Sequence, residues 1–167
     1  MASFSGKITA SVSAEYGNTL DVGSVNYPIN IAPGIVLTNG TGANQANACF
    51  TDTRTLTASS SENLDLAGSL VDAFGSTLTF TKIKSVMITA AATNTNDVLV
   101  GGHATAAVTF FGDVTDVVKV KPGGCLLLTA PDANGFAVTA ITADMLKVAN
   151  SAGGTSVTYT IVLIGVV

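Results

Sequence analysis

At 167 residues the chain is long enough for one ordinary domain with a core of its own, and a second independent core is not expected. Charged residues make up only 11% against 47% apolar, so Thr, Ser, Asn, Gly and backbone must cover the outside. That lightly charged outside is expected to meet other protein, which predicts an oligomer. The net charge of −4 and seven scattered Lys and Arg exclude nucleic acid as a partner, because displacing counterions from phosphates needs clustered cations.

Taken in chain order, Met1 to Lys7 lacks the charged, apolar and small-residue succession of a secretory leader, which predicts a protein made in the cytoplasm. Residues 1–35 read as an N-terminal arm or edge extension with some strand, and Lys7 to Ser13 alternates like a half-buried strand. Residues 36–167 read as the main domain. Cys49 to Thr57 alternates with Thr51, Thr53, Thr55 and Thr57 on one face. Leu64 to Phe74 has the spacing of a helical turn. Thr77 to Ala90 predicts one strand that starts at the rim and enters the core.

Further strands are predicted at Asp97–Gly101, Ala107–Phe111, Val117–Val120, Cys125–Thr129, Phe136–Ala140, Met145–Ala149 and Ser156–Val166, with a second helical turn begun by Thr142 as N-cap. Turn-forming Gly, Pro, Asn and Asp separate them, as in Pro122-Gly123-Gly124 and Pro131-Asp132-Ala133-Asn134-Gly135. Short strands at this spacing predict an all-β protein, an antiparallel β-sandwich of jelly-roll type. The run Ile161 to Val167 is too short to cross a bilayer as a helix, so no membrane partner is expected.

Candidate chemistry is thin. His103 is the one imidazole, and no Gly-x-Ser-x-Gly elbow accompanies it, so a loop or interface histidine is the simpler reading. One His with Cys49 and Cys125 is too few for zinc. The two cysteines could form one bridge, but they read as free buried thiols. Asp113, Asp116, Asp132 and Asn134 offer loop oxygens to a hard cation, yet Asp and Asn are also what turns use. Glu62, Asp65 and Asp72 have the residue type of a glycosidase pair without the aromatic platforms of a sugar cleft. The pairs Lys82, Lys84 and Lys119, Lys121 read as solvent faces of strands, the double glycines as hairpin turns, and Phe80, Phe110, Phe111 and Phe136 as core. No catalytic, cofactor or metal site is expected, nor an enzyme.

The stretch Asn39-Gly-Thr-Gly-Ala-Asn-Gln-Ala-Asn47, followed by Asp52-Thr-Arg-Thr-Leu56, Glu62-Asn-Leu-Asp-Leu-Ala-Gly68 and Asp72-Ala-Phe-Gly75, resembles a family of small tailed-bacteriophage virion proteins. Asn94-Thr-Asn96, Val100-Gly-Gly102, Val120-Lys-Pro-Gly-Gly124, Ala130-Pro-Asp132, Val148-Ala-Asn-Ser151 and Thr155 to Gly165 carry the resemblance along nearly the whole chain. It implies a structural part of the particle. The form it favours is a capsid decoration, or cement, protein that sits as a homotrimer on the outer head and binds the major capsid protein. A tail or tail-tip receptor-binding module is the alternative. The resemblance carries no functional residue, because such proteins act through surfaces.

Overall fold

The computed structural model describes residues 3–167; Met1 and Ala2, which begin the expected arm, lie outside the described residues. Runs of β-branched and apolar residues interleaved with Thr and Ser build strands, and among the described residues no helix. In chain order these are β1 (Gly6–Thr9), β2 (Val12–Thr19), β3 (Ser24–Ile31), β4 (Gly34–Asn39), β5 (Gln45–Ala46), β6 (Ala48–Leu56), β7 (Ser61–Asp65) and β8 (Leu70–Val71). They continue as β9 (Thr77–Leu78), β10 (Lys82–Ala90), β11 (Val98–Gly101), β12 (Val117–Val120), β13 (Cys125–Thr129), β14 (Phe136–Ala137), β15 (Met145–Asn150) and β16 (Val157–Val166).

Two antiparallel sheets pack face to face as a β-sandwich, one ordered β13-β10-β16-β6 and the other β12-β11-β15-β7. Alternation sends every second residue of β16 inward, so Val157, Tyr159, Ile161 and Leu163 reach the core while Thr158, Thr160, Val162 and Ile164 face out. Phe50, Ile83, Val86 and Ile88 complete the inner layer of the first sheet, and Leu64, Val98, Val100, Leu146 and Val148 answer from the second. The pairing is nested. β6 joins β16, β7 joins β15, β10 joins β13 and β11 joins β12, so the first long strand pairs the last and the middle two pair each other.

Residues 6–37 stand apart from this sandwich. The register Gly6↔Leu37 through Thr9↔Gly34 continues without slip into Val12↔Ile31 through Thr19↔Ser24, so two ladders separated by residues 10–11 and 32–33 make one two-stranded ribbon. Its turn is closed by the Leu20 N–H donating to the Gly23 carbonyl (2.9 Å), with Gly23 at a φ of 98° that a side chain would resist. Leu37 is fully buried where the ribbon joins the body, and a short parallel pairing of β4 with β5 anchors it.

Several expectations need correction. Lys84 is not on a solvent face: the β10–β16 register shifts between Ile83 and Ser85, a bulge that turns Lys84 into the protein, where it is 1% exposed. Its ammonium donates to the Asp132 carbonyl, and that of Lys82 donates to the Ala133 carbonyl (2.9 Å), so both hold the 131–135 turn. Burial, then the charge of Lys82, lowers the pKa of Lys84 against the pull of Asp132.

Ala107–Phe111 is no strand. Ala106, Ala107 and Val108 are buried in succession, and the Phe110 N–H turns back to the Val108 carbonyl (3.0 Å), which drops Val108 and Phe110 into the core. Neither helical turn forms. Asp65 accepts the Ala67 N–H (2.8 Å) and bends the chain out of β7, and a tight turn between Thr139 and Ala143 cuts β14 short after Ala137. Cys125 is exposed and Cys49 half-buried, on opposite edge strands of one sheet, so neither is the fully buried thiol expected.

Candidate interaction surface

Most candidate site residues are occupied in holding turns and edges. The edge strands β6 and β7 lie on the same side of the sandwich, and a polar tie closes the gap between them. Glu62 accepts the Tyr159 hydroxyl (2.7 Å) through one oxygen and Arg54 Nη1 (2.6 Å) through the other, while Arg54 Nε lies 3.0 Å from Asp52. The Tyr159 phenol is pushed far above its ordinary pKa by burial, then by its bond to Glu62. Asp65 and Asp72 are elsewhere, each accepting backbone N–H groups of its own turn, so the three acids share no cleft.

The loop oxygens divide between two turns. Asp113 accepts the Thr115 N–H and hydroxyl (3.1 Å each) and Asp116 accepts the Asp113 N–H (2.9 Å), whereas Asp132 accepts the N–H groups of Asn134 (2.8 Å) and Gly135 (3.1 Å). These bonds lower the pKa of both Asp113 and Asp132. Among the described residues no three His, Cys, Asp or Glu side chains come together as a metal group. His103 Nδ1 accepts the Ala106 N–H (3.2 Å) and fixes the start of its loop.

Reading types and spacing missed the asparagines. Asn96 Nδ2 reaches Asn150 Oδ1 (3.0 Å) and the carbonyls of Ala152, Gly153 and Thr155. Asn150 Nδ2 in turn reaches Thr57 and Thr155 (3.0 and 2.8 Å). The Ser151–Thr155 turn is thus pinned by side chains, which a flexible-looking Ala-Gly-Gly run gives no hint of.

The ribbon is the feature these interactions leave over. Because side chains alternate, Val12, Ala14 and Tyr16 share a face with Val25, Tyr27, Ile29 and Ile31, and Tyr16 lies directly across from Tyr27. The opposite face carries Ser13, Glu15, Gly17 and Thr19 with Ser24, Asn26, Pro28 and Asn30. At the ribbon's base the same apolar face, as Ile8, Ala10, Pro33 and Ile35, lines a cleft with Leu127 on the outer side of the first sheet. A neighbouring cleft joins Ile8 to Met87, Val162 and Ile164.

Past Ala10 and Pro33 that support ends. Val12 is 59% exposed, Tyr16 76%, Tyr27 66% and Ile31 60%, and β2 and β3 pack on each other alone beyond marginal contact. Of fourteen large hydrophobics exposed among the described residues, seven fall within residues 12–31, which makes the ribbon the main apolar surface of the molecule.

The remaining outer face of the first sheet differs in kind. Thr53 and Thr55 of β6 share hydroxyl hydrogen bonds with Thr160 and Thr158 of β16 (2.9 Å each), a polar and uncharged plane. No protein-family model, curated protein or solved structure matches the chain.

Proposed function

We propose that the chain is a structural part of a tailed-bacteriophage virion, a capsid decoration protein that self-associates, as a homotrimer in the form the sequence resemblance favours, and clamps the major capsid protein on the outer head. The observation that carries the reading is a projecting ribbon with an uncovered apolar face on a sandwich whose candidate site residues mostly hold its own turns and edges. A surface of that kind is made to be covered by protein. The nested pairing of eight strands supports the jelly-roll reading of the sandwich, a scaffold that presents surfaces without a helix. Low charge over the whole exterior supports the same reading.

The mechanism is mass action. Contacts made to an assembled shell and absent from loose subunits stabilise the shell by linkage, and several chains acting together multiply weak individual contacts. Cryo-electron microscopy of purified particles tests this. Density at threefold or quasi-threefold positions on the head is expected, and density confined to the tail overturns the decoration role.

A further inference from the structure

We infer that the apolar face of the 12–31 ribbon is covered by the same face of a second copy's ribbon, so that copies associate ribbon on ribbon. The inference rests on reading the ribbon as a docking surface and does not require the partner to be a capsid.

The chemistry of the face narrows its occupant. From Ala10 to Pro33 the ribbon contains no cation, and its two acids, Glu15 and Asp21, sit on the polar face and in the turn. Nothing on it attracts a phosphate, an anionic membrane or a charged peptide, whereas an uncharged apolar strip needs another such strip. Within this protein the other large exposed hydrophobics form no comparable strip: Phe74 and Val167 line one small cleft with Phe4 and Leu78, and Val71, Val117 and Ile141 lie on separate segments, so the matching strip on a second copy is its own ribbon. The exposed parts of Val12, Tyr16, Val25, Tyr27 and Ile31 come to roughly 600–700 Å² per copy, close to the ~800 Å² per partner of an ordinary stable interface. Two tyrosines at the centre of the strip are the residue type that anchors such contacts.

The open edge of β3 favours contact by faces. The Leu20 to Gly23 bond makes even-numbered residues of β2 the hydrogen-bonded members of the ladder, so Glu15↔Pro28 is a non-bonded pair. The Pro28 nitrogen therefore faces the open edge of β3 and offers no N–H to an added strand. Edge-to-edge extension is blocked there while the apolar face stays free. Identical strips turned inward on a shared symmetry axis cover one another in a closed assembly, two ribbons about a twofold or three about a threefold.

Light scattering of the purified full chain should give a multiple of the 16.7 kDa single-chain mass at micromolar concentration. The double variant Y16K/Y27K should weaken association by at least about thirtyfold, as loss of central anchors does. Its thermal unfolding should stay cooperative, since both side chains are largely exposed and lie outside the core cluster. Y16E/Y27E should behave alike, and mixing the two variants should restore association, because opposite charges then meet across the ribbons. A wild-type chain that stays monomeric, association that survives both variants, or a mixture that stays apart overturns the inference. Particle imaging separates the two proposals: a monomer in solution that still decorates heads refutes ribbon pairing alone, and ribbon-paired copies missing from particles refute the virion role alone.

Discussion

In β16 the residues Val157, Tyr159, Ile161 and Leu163 are wholly removed from solvent, while in β2 and β3 the equivalent alternation leaves Tyr16, Tyr27 and Ile31 more than half exposed. Both regions are antiparallel strands in which alternation gathers apolar residues on one face. They differ in what lies opposite. β16 sits between β10 and β6 with a second sheet across the core, whereas β2 and β3 have only each other. A two-stranded hairpin by itself is marginal in water, so the ribbon depends on its base, where Ile8 and Ile35 reach the body, and on whatever covers its far half. Period-two alternation thus determines which side of a strand is apolar and is silent on whether that side is filled from within the chain or from outside it.

The sharpest break in the comparison is a deletion inside the sandwich. Ile161→Ala empties a site at the centre of the first sheet and should cost about 2–5 kcal/mol of unfolding free energy in urea titration. Glu62→Ala comes next. It strips the Tyr159 hydroxyl and Arg54 of their shared acceptor, and about 1–3 kcal/mol should be lost, with Glu62→Gln losing less because an amide oxygen still accepts. Gly165→Ala probes the bulge. A β-carbon there would lie 2.5 Å from the Lys82 carbonyl oxygen and 2.9 Å from Phe80, an overpacking worth about 1–3 kcal/mol by the same titration.

These sites also mark what could be read in advance. Val117–Val120 and Cys125–Thr129 are legible from their residues, because short apolar runs are bounded on each side by turn chemistry. Pairing is not legible: β6 finds β16 more than a hundred residues later, and nothing local in Ala48–Leu56 names that partner. Lys84 fails for a related reason. A bulge inserts one residue against the partner strand, and only the partner's register reveals it. Glu62 is visible in the sequence as an acid, but its role depends on Tyr159 and Arg54 arriving from other strands. The ribbon's alternation over Lys7–Ser13 is visible too, yet its half-buried reading fails at Val12, since exposure is a property of the surroundings.

A smaller effect separates the buried tie from the ribbon by pH. The raised Tyr159 pKa means that the folded chain holds its phenolic proton more tightly than the unfolded chain. Below the ordinary tyrosine value of about 10 both states are protonated and the contribution is fully present; above it the unfolded chain ionises first and stability falls. Lys84, whose pKa is lowered, acts in the opposite sense over the same alkaline range, because there the unfolded chain binds more protons. Comparing wild type with Tyr159→Phe cancels the lysine. The urea midpoint of wild type should fall faster than that of the variant between about pH 9 and 11.

The smallest effect tests the comparison most directly. In the Y16K/Y27K background, where association is expected to be removed, Ile31→Ala should change unfolding free energy by no more than about 0.5 kcal/mol, the range of a surface substitution. Ile31 and Ile161 are the same residue in the same kind of backbone, 60% and 0% exposed respectively. If both deletions cost several kcal/mol in the separated chain, the ribbon folds back onto its own sheet and is no free surface. If only the second does, the isoleucine in the ribbon contributes nothing until a neighbour arrives, and the same Ile31→Ala in the associating chain should then weaken assembly while leaving the sandwich untouched.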